Sequence, residues 1–403
     1  MMDLTKIPKD WTVKRIGKIT KTLAGGTPST SNAEYWNGDI KWMSSGDLNL
    51  KIVYEVEGRI TELGLKSSST RLIPPKSILI GLAGQGKTRG TVAMNMIELC
   101  TNQSVAAILP SNEFFEDYLY HNLDFRYEEL RQLSTGDGGR GGLNLNIINS
   151  VQIPLPPLTE QKAIAQVLST ADAAIHTTEK LIAQKELRKK WLMRQLLTGK
   201  KRLKGFGGEV KLKLVQPYLI EISERNKDLK ITNVLSVTNS RGFINQADQF
   251  NRVVASEDAT NYKIVRKGQF AYNPSRVNVG SLDLLTDFES GILSPMYVVF
   301  ETAKSQLLPD YFYYQLKTQW FYGHISMFVQ GSVRDSLSFD GLCSMKFFIP
   351  SIEEQTAIAQ VLQTADKEIS LLKAKAKKLK EQKKGLMQVL LTGKVRLKIK
   401  NDN

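Results

Sequence analysis

Apolar residues recur with a seven-residue period in two separate stretches of the chain. The steps alternate between four and three residues, which is typical of a helix that buries one stripe in a coiled-coil seam. In the later stretch the seam positions are Ile358, Leu362, Ala365, Ile369, Leu372, Ala376, Leu379, Lys383, Leu386 and Leu390. In the earlier stretch they are Ile164, Leu168, Ala171, Ile175, Thr178, Ile182, Lys185, Lys189, Leu192 and Leu196. Each stretch is therefore predicted to form a long helix with one buried face.

The two stretches are copies of one segment. Residues 156–204 and 350–398 align without a gap at an offset of 194, and 25 of the 49 positions are identical. Ser351 and Glu354 form the pattern of an N-terminal capping box, and Gly199 and Gly393 stand where a C-cap glycine belongs. Each copy is therefore predicted to be helical over about 40 residues, or roughly 60 Å at 1.5 Å per residue.

A lone helix with such a stripe would leave its apolar face in water, so each copy needs a partner. We expect the two copies to pair antiparallel in an intramolecular coiled coil with a pseudo-two-fold axis. The alternative is that each helix packs only on the globular domain beside it.

Each predicted helix follows a globular region of mixed character. Short β-rich runs at residues 77–80, 105–109 and 296–300 are broken by Gly, Asn and Pro turns, and short helices are expected at residues 117–132 and 310–320. The predicted fold class is α+β, with two mixed α/β domains joined and separated by the two long antiparallel helices. The predicted segments are domain 1 at residues 1–152, helix 1 at 153–204, domain 2 at 205–348, helix 2 at 349–397 and a tail at 398–403.

Composition narrows the class of protein. Lys and Arg total 55 against 40 Asp and Glu, a net charge of +15, which favours a nucleic acid partner, although solvated lysine faces produce the same excess. No run of 18 apolar residues and no secretory leader pattern occurs, so we expect a soluble cytoplasmic protein without a membrane partner. Cys100 and Cys343 stand alone, and the isolated His121, His176 and His324 are interpreted as structural. The sequence predicts no metal, disulfide or catalytic centre.

Residues 81–88 match the phosphate-loop pattern GxxxxGK[ST] and follow a strand-like run. A nucleotide-binding loop needs a helix directly behind it, whereas the following Arg-Gly-Thr-Val is poor helix material. The corresponding loop in the second half, residues 273–280, keeps a glycine and Arg276 but has no GKT. We therefore favour a DNA-contacting loop in both halves, where basic side chains meet phosphates or guanine and amides bond adenine edges. The alternative is a P-loop ATPase with a coiled-coil arm.

A second pair of loops is predicted from Arg140, in the glycine-rich residues 136–142, and Arg334 at the corresponding place in the other half. Both precede a short alternating run, and the alternative for the glycine-rich segment is a surface loop without a ligand. Residues 273–276 have a sequence similar to the Asn-Pro-Pro-aromatic signature of amino methyltransferases. They lack its second proline and its aromatic residue, which would stack on a flipped base, so intrinsic methylation is not expected. The candidate DNA contacts are Gln85, Lys87, Thr88, Arg89, Arg140, Asn144, Arg241, Asn273, Arg276, Asn278, Arg334 and Ser338.

The lysine-rich residues 373–384 are interpreted as the solvated face of the coiled coil, with contact to a partner or to phosphates as the alternative. Residues 160–168 and 354–362 are nearly the same in both copies, and two identical partners would need two matching surfaces. Their apolar members can equally be seam residues. The candidates for partner binding or coiled-coil contact are Glu160, Gln161, Ile164, Leu168, Ile175, Glu354, Gln355, Ile358, Leu362, Ile369, Leu372 and Leu379.

Over nearly its full length the chain resembles the specificity subunits of type I restriction-modification enzymes. The resemblance rests on Trp11, on GGTPS at residues 25–29, on YWNGDIKW at residues 35–42, and above all on the doubled Pro-x3-Glu-Gln helix that ends in Leu-Leu-Thr-Gly-Lys. The second domain departs from the pattern, because it carries Gln216-Pro217-Tyr218 in place of the GGTPS opening.

The resemblance implies that each globular domain is a target-recognition domain and that the repeated helices are its scaffold. It further implies double-stranded DNA, two adenine-N6 methyltransferase subunits and translocating endonuclease subunits as partners. S-adenosylmethionine, ATP and magnesium would belong to those partners, with no cofactor in this chain.

The leading hypothesis is a non-catalytic DNA specificity subunit. It would read a bipartite, asymmetric site with a non-specific spacer and direct methyltransferase and endonuclease subunits to that site. Besides the ATPase, the remaining alternative is a purely structural coiled-coil adaptor, which would show no sequence-dependent DNA binding.

Overall fold

The computed structural model describes residues 4–84, 88–133, 142–209, 211–246, 259–327 and 336–397. The chain forms two compact units: unit 1 comprises Met1–Glu179 with Ala374–Asn403, and unit 2 comprises Lys180–Lys373. The boundary falls inside both copies of the repeated segment. Each unit therefore contains the start of one copy and the end of the other.

Unit 1 contains a mixed α/β domain and parts of both long helices. Its strands are β1 (Thr12–Arg15), β2 (Thr22–Ala24), β3 (Trp36–Met43), β4 (Ile52–Val53), β5 (Arg59–Ile60), β6 (Ile78–Gly81), β7 (Val92–Asn95), β8 (Cys100–Thr101), β9 (Val105–Ile108) and β10 (Gln152–Leu155). Its short helices are α1 (Ile16–Ile19), α2 (Glu62–Lys66), α3 (Glu116–Phe125), α4 (Tyr127–Gln132) and α5 (Leu145–Ser150), with 3-10 turns at Leu4–Lys6, Ala33–Tyr35 and Ser45–Leu50. The long helix α6 (Leu158–Leu196) begins in this unit. The strands form a five-stranded sheet β2-β9-β6-β7-β4, a three-stranded sheet β5-β3-β8 and the pair β1-β10.

Unit 2 contains the second mixed domain. Its strands are β11 (Leu212–Leu214), β12 (Leu219–Ile222), β13 (Leu235–Thr238), β14 (Gly242–Asn245), β15 (Lys263–Arg266), β16 (Phe270–Tyr272), β17 (Leu282–Leu284), β18 (Ser290–Leu293), β19 (Val298–Thr302) and β20 (Lys346–Phe348). Its short helices are α7 (Pro309–Leu316), α8 (Gln319–His324) and α9 (Phe339–Cys343), with 3-10 turns at Gln216–Tyr218, Val277–Val279 and Ile325–Met327. The long helix α10 (Ile352–Leu390) begins here. The strands form a four-stranded sheet β12-β19-β16-β17 and the pairs β13-β14, β15-β18 and β11-β20.

The two domains share one plan despite their different sequences. The order β2-β9-β6-β7 in unit 1 matches β12-β19-β16-β17 in unit 2, and in both units the first and last strands of the domain pair with each other. A tyrosine hydroxyl ties the helix after the sheet to the last strand in each case, because Tyr118 donates to the Pro154 carbonyl at 2.7 Å and Tyr311 to the Phe348 carbonyl at 2.6 Å. The predicted α+β class with two mixed domains is confirmed.

The long helices pair with each other inside each unit. In unit 1, Lys383 bonds Asp172 and Lys380 bonds Glu179, with the latter pair at 2.6 Å. In unit 2, the ion pairs across the helices are Lys185–Glu368, Lys189–Asp366 and Lys373–Glu186. Residue numbers rise on one helix as they fall on the other, so the predicted antiparallel coiled coil is confirmed. Three lysines of the basic run 373–384, namely Lys373, Lys380 and Lys383, thus form ion pairs within the coiled coil.

The alternative, in which each helix packs only on its own domain, is wrong, although contact with that domain is present beside the helix pairing. Ile164 and Leu168 lie in the same apolar cluster as Tyr118 of the unit 1 domain, and Ile358 and Leu362 lie in the cluster of the unit 2 domain. The start of each helix therefore packs against both a domain and the end of the other helix. The Gly199 and Gly393 caps are confirmed, with φ of +70° and +68°.

Two arginine–glutamate contacts close these helix pairs, and we call them the reciprocal clamps. Arg202, near the end of copy 1, bonds Glu354 near the start of copy 2, with Nε to Oε1 at 2.6 Å. Arg396, near the end of copy 2, bonds Glu160 near the start of copy 1, with Nη2 to Oε2 at 2.7 Å. The two carboxylates are buried, with 1% and 2% of their side chains exposed. Each copy thus supplies one acid and one base.

Several local predictions need correction. The expected helix at 117–132 is broken at Arg126, and the one at 310–320 ends at Leu316 before α8 begins. The alternating runs after Arg140 and Arg334 lead into the helices α5 and α9, since their second residues, Asn144 and Ser338, cap helices instead of facing alternate sides of a strand. The capping box at Ser351 is half formed. The Ser351 hydroxyl accepts from the Glu354 amide, but the Glu354 carboxylate is held by Arg202.

Replacing the buried carboxylate of a clamp should unfold unit 2 more easily. Glu354→Gln leaves the Arg202 charge without its partner, and we expect the free energy of unfolding to fall by about 3 kcal/mol. Urea denaturation followed by circular dichroism measures the loss. The matched control is Glu353→Gln on the exposed face of the same turn, which loses only an exposed interaction with Ser351 and the helix N-terminus and should lower the denaturation midpoint much less. Equal midpoints for the two variants would contradict a stabilising clamp.

Candidate nucleic-acid interface

Two arginines that the sequence analysis selected meet at one cleft of unit 2. The cleft has a volume of about 300 Å³ and is formed by the β13–β14 hairpin and the loop after β16. We call it the second-domain cleft. Its lining residues are Val237, Thr238, Asn239, Ser240, Arg241, Arg276, Val279, Ser281 and Tyr297.

The hairpin presents Arg241 at its tip. The Thr238 hydroxyl accepts from the Arg241 amide and donates to the Gly242 carbonyl, each at 3.2 Å, which closes a three-residue turn. Gly242 has a φ of +62°, and a Cβ there would collide with the Asp283 carboxylate. Only glycine therefore suits this position, and the tip conformation is fixed by the chain itself.

The facing loop presents Arg276 by a similar local device. The Asn273 side-chain oxygen accepts from the Ser275 amide at 3.1 Å, and the Asn273 carbonyl accepts from the Arg276 amide at 2.9 Å. Val277 is buried as an anchor, whereas Arg276 and Asn278 are exposed. The side-chain oxygen of Asn273 is thus occupied by the turn.

The cleft is cationic. Both Arg241 and Arg276 are exposed, and neither guanidinium has a hydrogen bond or ion pair with another residue in the described ranges. A planar guanidinium can bond a phosphate or the O6 and N7 edge of guanine in a bidentate manner. The arrangement therefore suits a polyanion that also carries base edges.

The phosphate-loop match of unit 1 lies in a different structure from a nucleotide site. β6 and β7 pair antiparallel, with Ile78 opposite Met94. The Gly90 amide bonds the Gly81 carbonyl at 2.9 Å, so Thr88 and Arg89 lie in a hairpin that leads into a strand. A helix would be needed at that place to hold a nucleotide phosphate. The ATPase interpretation therefore lacks its structural basis.

One backbone hydrogen bond in each unit joins the residues after β6 or β16 to the start of a helix-capping segment. The Leu143 amide bonds the Leu82 carbonyl at 2.9 Å, and the Leu337 amide bonds the Pro274 carbonyl at 3.2 Å. Leu143 and Leu337 therefore lie beside the residues that directly follow β6 and β16. Gln85, Lys87, Arg140 and Arg334 lie outside the described residues.

Two further candidates have a structural role in the described chain. The Asn144 side-chain oxygen accepts from the Ile147 amide and the Ser338 hydroxyl from the Gly341 amide, each at 3.0 Å. Both side chains cap the helices α5 and α9. Their contact with DNA stays a prediction.

The candidate partner residues are mostly buried inside their own units. Gln161 is 1% exposed and accepts from the Phe115 amide at 2.8 Å, and Gln355 does the same for Leu308 at 2.8 Å. Glu160 and Glu354 belong to the reciprocal clamps. Ile164, Leu168, Ile175, Ile358, Leu362 and Ile369 are buried, and Leu372 and Leu379 are half-buried.

A different set of residues forms matching, partly exposed surfaces. The sequence analysis selected the segments 160–168 and 354–362, which contain three members of each set, but it did not name these members as candidates. All members are identical in the two copies and have the same exposure in both, and we call the two sets the repeated stripes. In unit 1 the stripe consists of Ala163, Gln166, Val167, Thr170 and Ala171, and in unit 2 of Ala357, Gln360, Val361, Thr364 and Ala365. In unit 2 the stripe lines a groove of about 520 Å³ with Leu192, Lys189 and Phe206. The available signal was the identity of these positions in the two copies, since all of them except Ala171 and Ala365 lie off the seam.

Burial shifts the pKa of one histidine and of both cysteines. Burial lowers the pKa of His121 to about 3, aided by the charge of Lys383, and its Nε2 lies 3.1 Å from the Ser169 hydroxyl. Burial raises the pKa of Cys100 and of Cys343 to about 11. His121 is therefore uncharged and the two thiols are protonated at neutral pH.

In the described part of the chain, no cluster of three or more His, Cys, Asp or Glu residues is placed to hold a metal ion. Among the same residues, no helix is long and apolar enough to cross a membrane.

The family model for the type I restriction modification DNA specificity domain matches residues 8–186 and 239–381. The chain belongs to this family. The first matched region contains the globular domain of unit 1 and part of α6, and the second contains most of the globular domain of unit 2 and part of α10. The two-unit plan is therefore that of a doubled specificity domain. The relatives below are named specificity subunits.

The chain is 37% identical over 183 residues to the type I restriction enzyme MjaIX specificity subunit of Methanocaldococcus jannaschii, covering 44% of this chain and 41% of that relative. It is 32% identical over 181 residues to the EcoR124I/EcoR124II specificity subunit of Escherichia coli, covering 44% and 45%. These two matches span less than half of each relative. The MjaVIII specificity subunit of M. jannaschii is 24% identical over 420 residues, covering 98% of this chain and 95% of that relative.

Solved structures share the fold. The S subunit of a type I restriction-modification system from M. genitalium has a TM-score of 0.60 and 15% identity, covering 96% of both chains. A chain from a structure on complex assembly and conformational transition of the type I R-M system has a TM-score of 0.59 and 14% identity, covering 97% of this chain and 100% of that one. At such identities the likeness concerns the fold alone.

Removing the arginines of the second-domain cleft should weaken DNA binding by this specificity-family chain. We expect Arg241→Gln and Arg276→Gln each to cost about 1 to 3 kcal/mol, with relaxed base preference if the guanidinium reads guanine. Fluorescence anisotropy on duplexes with single base changes measures both effects. The control is Lys346→Gln, an exposed cation of unit 2 outside the cleft. An equal effect of all three variants would rule out a specific role for the cleft.

Proposed function

We propose that this chain is the DNA-recognition subunit of a type I restriction-modification complex and that it reads two different short elements separated by unread base pairs. The observation that carries the proposal is the repeated plan: two domains with the same sheet order and the same helical supports, but with unlike loops. A shared framework with different contact loops suits two readers of different sequence. It does not suit two copies of one enzyme.

The differences between the domains fall where bases would be read. The second domain has the β13–β14 hairpin with Arg241 at its tip beside Arg276. The loop of the first domain that corresponds to residues 273–280 is residues 81–88, and its candidate contacts include Gln85 and Lys87 instead of Arg276. Sequence is read through side chains at base edges, whereas phosphate contacts only position the protein. Unlike loops on equal supports therefore predict unlike half-sites.

Under this proposal the unread gap is set by the protein. The two helices of 39 residues have a length of roughly 58 Å at 1.5 Å per residue. Their pairing is fixed by buried apolar residues, ion pairs and the reciprocal clamps. A stiff pair of helices keeps the spacing constant, while a flexible linker would allow several spacings.

The proposed partners are two copies of one methyltransferase subunit and translocating endonuclease subunits. The repeated stripes support the two-copy part, because each unit offers a partner the same five side chains, of which the glutamine and the threonine are exposed and the others half-buried. The partners would use S-adenosylmethionine, ATP and magnesium, and this chain would supply the target sequence without catalysis.

Duplicating the first domain tests the recognition role. In this variant residues 13–154 replace residues 212–348, because Val13 pairs with Pro154 at the same place in the strand pair as Leu212 with Phe348. The complex with the methyltransferase subunit is used to select DNA from a randomised duplex pool. The wild-type chain should select two different elements at a fixed distance, and the variant two inverted copies of the first element.

The control for this experiment is that the duplicated variant must be folded, which circular dichroism and size-exclusion chromatography would test. A folded variant that still selects the original second element would contradict the assignment of the domains as readers. No selection by the wild-type complex would favour a structural adaptor.

Blocking one repeated stripe should remove one partner copy. Thr364→Arg places a long cation in the unit 2 stripe, where the native hydroxyl bonds only the Gln360 carbonyl of its own helix. We expect the methyltransferase stoichiometry to fall from two to one, as measured by native mass spectrometry. The matched control is Gln363→Arg, which is exposed one residue away and outside the stripe. Two bound copies with Thr364→Arg would show that the partner docks elsewhere.

A further inference from the structure

One exposed surface of unit 2 breaks the repeat between the two copies. It consists of Lys190, Trp191, Arg194, Lys200 and Lys201, which are all exposed, and we call it the tryptophan patch. Residues 187–208 contain no Asp or Glu, so the sequence around the patch supplies no neutralising carboxylate. In the described ranges no acidic side chain forms an ion pair with any of the four cations.

The patch is held together by the end of helix α6. Gly199 has a φ of +70°, and the Lys201 amide bonds the Gln195 carbonyl at 3.1 Å, so the chain folds back along the helix. The Lys201 ammonium lies 5.0 Å from the centre of the Trp191 ring, and Trp191 is 48% exposed. Trp191 and Arg194 are three residues apart and share one face of the helix. A half-exposed indole thus lies beside Lys201 and on the same helix face as Arg194.

The other copy has the same backbone without this surface. The Val395 amide bonds the Val389 carbonyl at 3.1 Å, which repeats the turn. At the matching positions, however, the residues are Lys384, Gly385, Gln388, Lys394 and Val395. Unit 2 therefore has two additional positive charges and an indole that unit 1 does not have. Two identical partners that use matching surfaces would not account for this difference.

We propose that the tryptophan patch binds the sugar–phosphate backbone of duplex DNA without reading its sequence. The inference rests on the proposed DNA-binding function and adds a contact on the helical scaffold to those on the recognition loops. Cations without acidic partners attract phosphates and release condensed counterions on binding. Three of the four cations are lysines, which are depleted at protein–protein interfaces. The charge therefore favours a nucleic acid over a protein surface.

The other copy provides the variant that tests the patch. Arg194→Gln with Lys201→Val gives unit 2 the residues that unit 1 has at these positions, so the framework is known to accept them. The binding constant of the full chain, with its methyltransferase partner, is measured against salt concentration on a selected duplex and on a scrambled one. Each lost phosphate contact lowers the slope of log K against log salt by about 0.9. We expect the slope to fall by about 2 on both duplexes and the ratio of their affinities to stay unchanged.

The control double variant is Lys377→Gln with Lys378→Gln, which removes two exposed charges from helix α10 outside the patch. Equal slopes for the wild-type chain and the patch variant, or an equal change in the control, would overturn the proposal. A loss of partner copies without a change in slope would also overturn it, because the patch would then be a protein surface. If the wild-type complex does not distinguish the two duplexes, the proposed function fails, but the slopes still decide whether the patch binds phosphate.

Discussion

The helix packing inside each unit depends on one buried ion pair, Glu160 with Arg396 in unit 1 and Glu354 with Arg202 in unit 2. A carboxylate that is 1% or 2% exposed loses its hydration, so it is tolerated only when a charged partner meets it with good geometry. In each unit that partner comes from the other copy of the repeat. One repeated sequence must therefore supply the acid near its start and the base near its end, and neither residue can change alone without loss of stability.

This constraint accounts for where the two copies agree. Identical residues concentrate at residues 160–172 and 189–204 and at their counterparts, whereas the segment between them differs at nearly every position. The ends pack on a domain and on the opposite helix at once, and they include the buried Gln161 and Gln355. The middle has only the helix partner. There, Glu179–Lys380 in one unit corresponds to Lys373–Glu186 in the other, with the charges exchanged. Either order satisfies the pairing, so the sequence is free to vary.

The sequence was sufficient to predict the elements whose causes are local or periodic. The seam period predicted both long helices, and Gly199 and Gly393 marked their ends because only a residue in the left-handed conformation closes such a turn.

The sequence was not sufficient where two uses of one residue compete. Glu354 fits a capping box, but a guanidinium in tertiary contact takes its carboxylate. The seam pattern likewise identified buried residues such as Ile164 without showing that a domain covers them. The exposed stripe beside them was overlooked, because periodicity selects buried positions and ignores exposed ones. In the candidate site, Arg241 and Arg276 were chosen singly, but their meeting at one cleft depends on strand pairing that no local pattern encodes.

Because the segment is repeated, each of its surface residues can be compared with the residue at the matching position of the other copy. A surface that is the same in both copies is suited to a ligand that is present twice, as the repeated stripes are. A surface that differs is suited to a ligand without that symmetry, and a DNA site with two unlike halves is such a ligand. The second-domain cleft and the tryptophan patch both belong to unit 2 and both present exposed cations without acidic partners among the described residues. Stability therefore requires the buried contacts to repeat, while recognition of an asymmetric ligand requires some of the exposed ones to diverge.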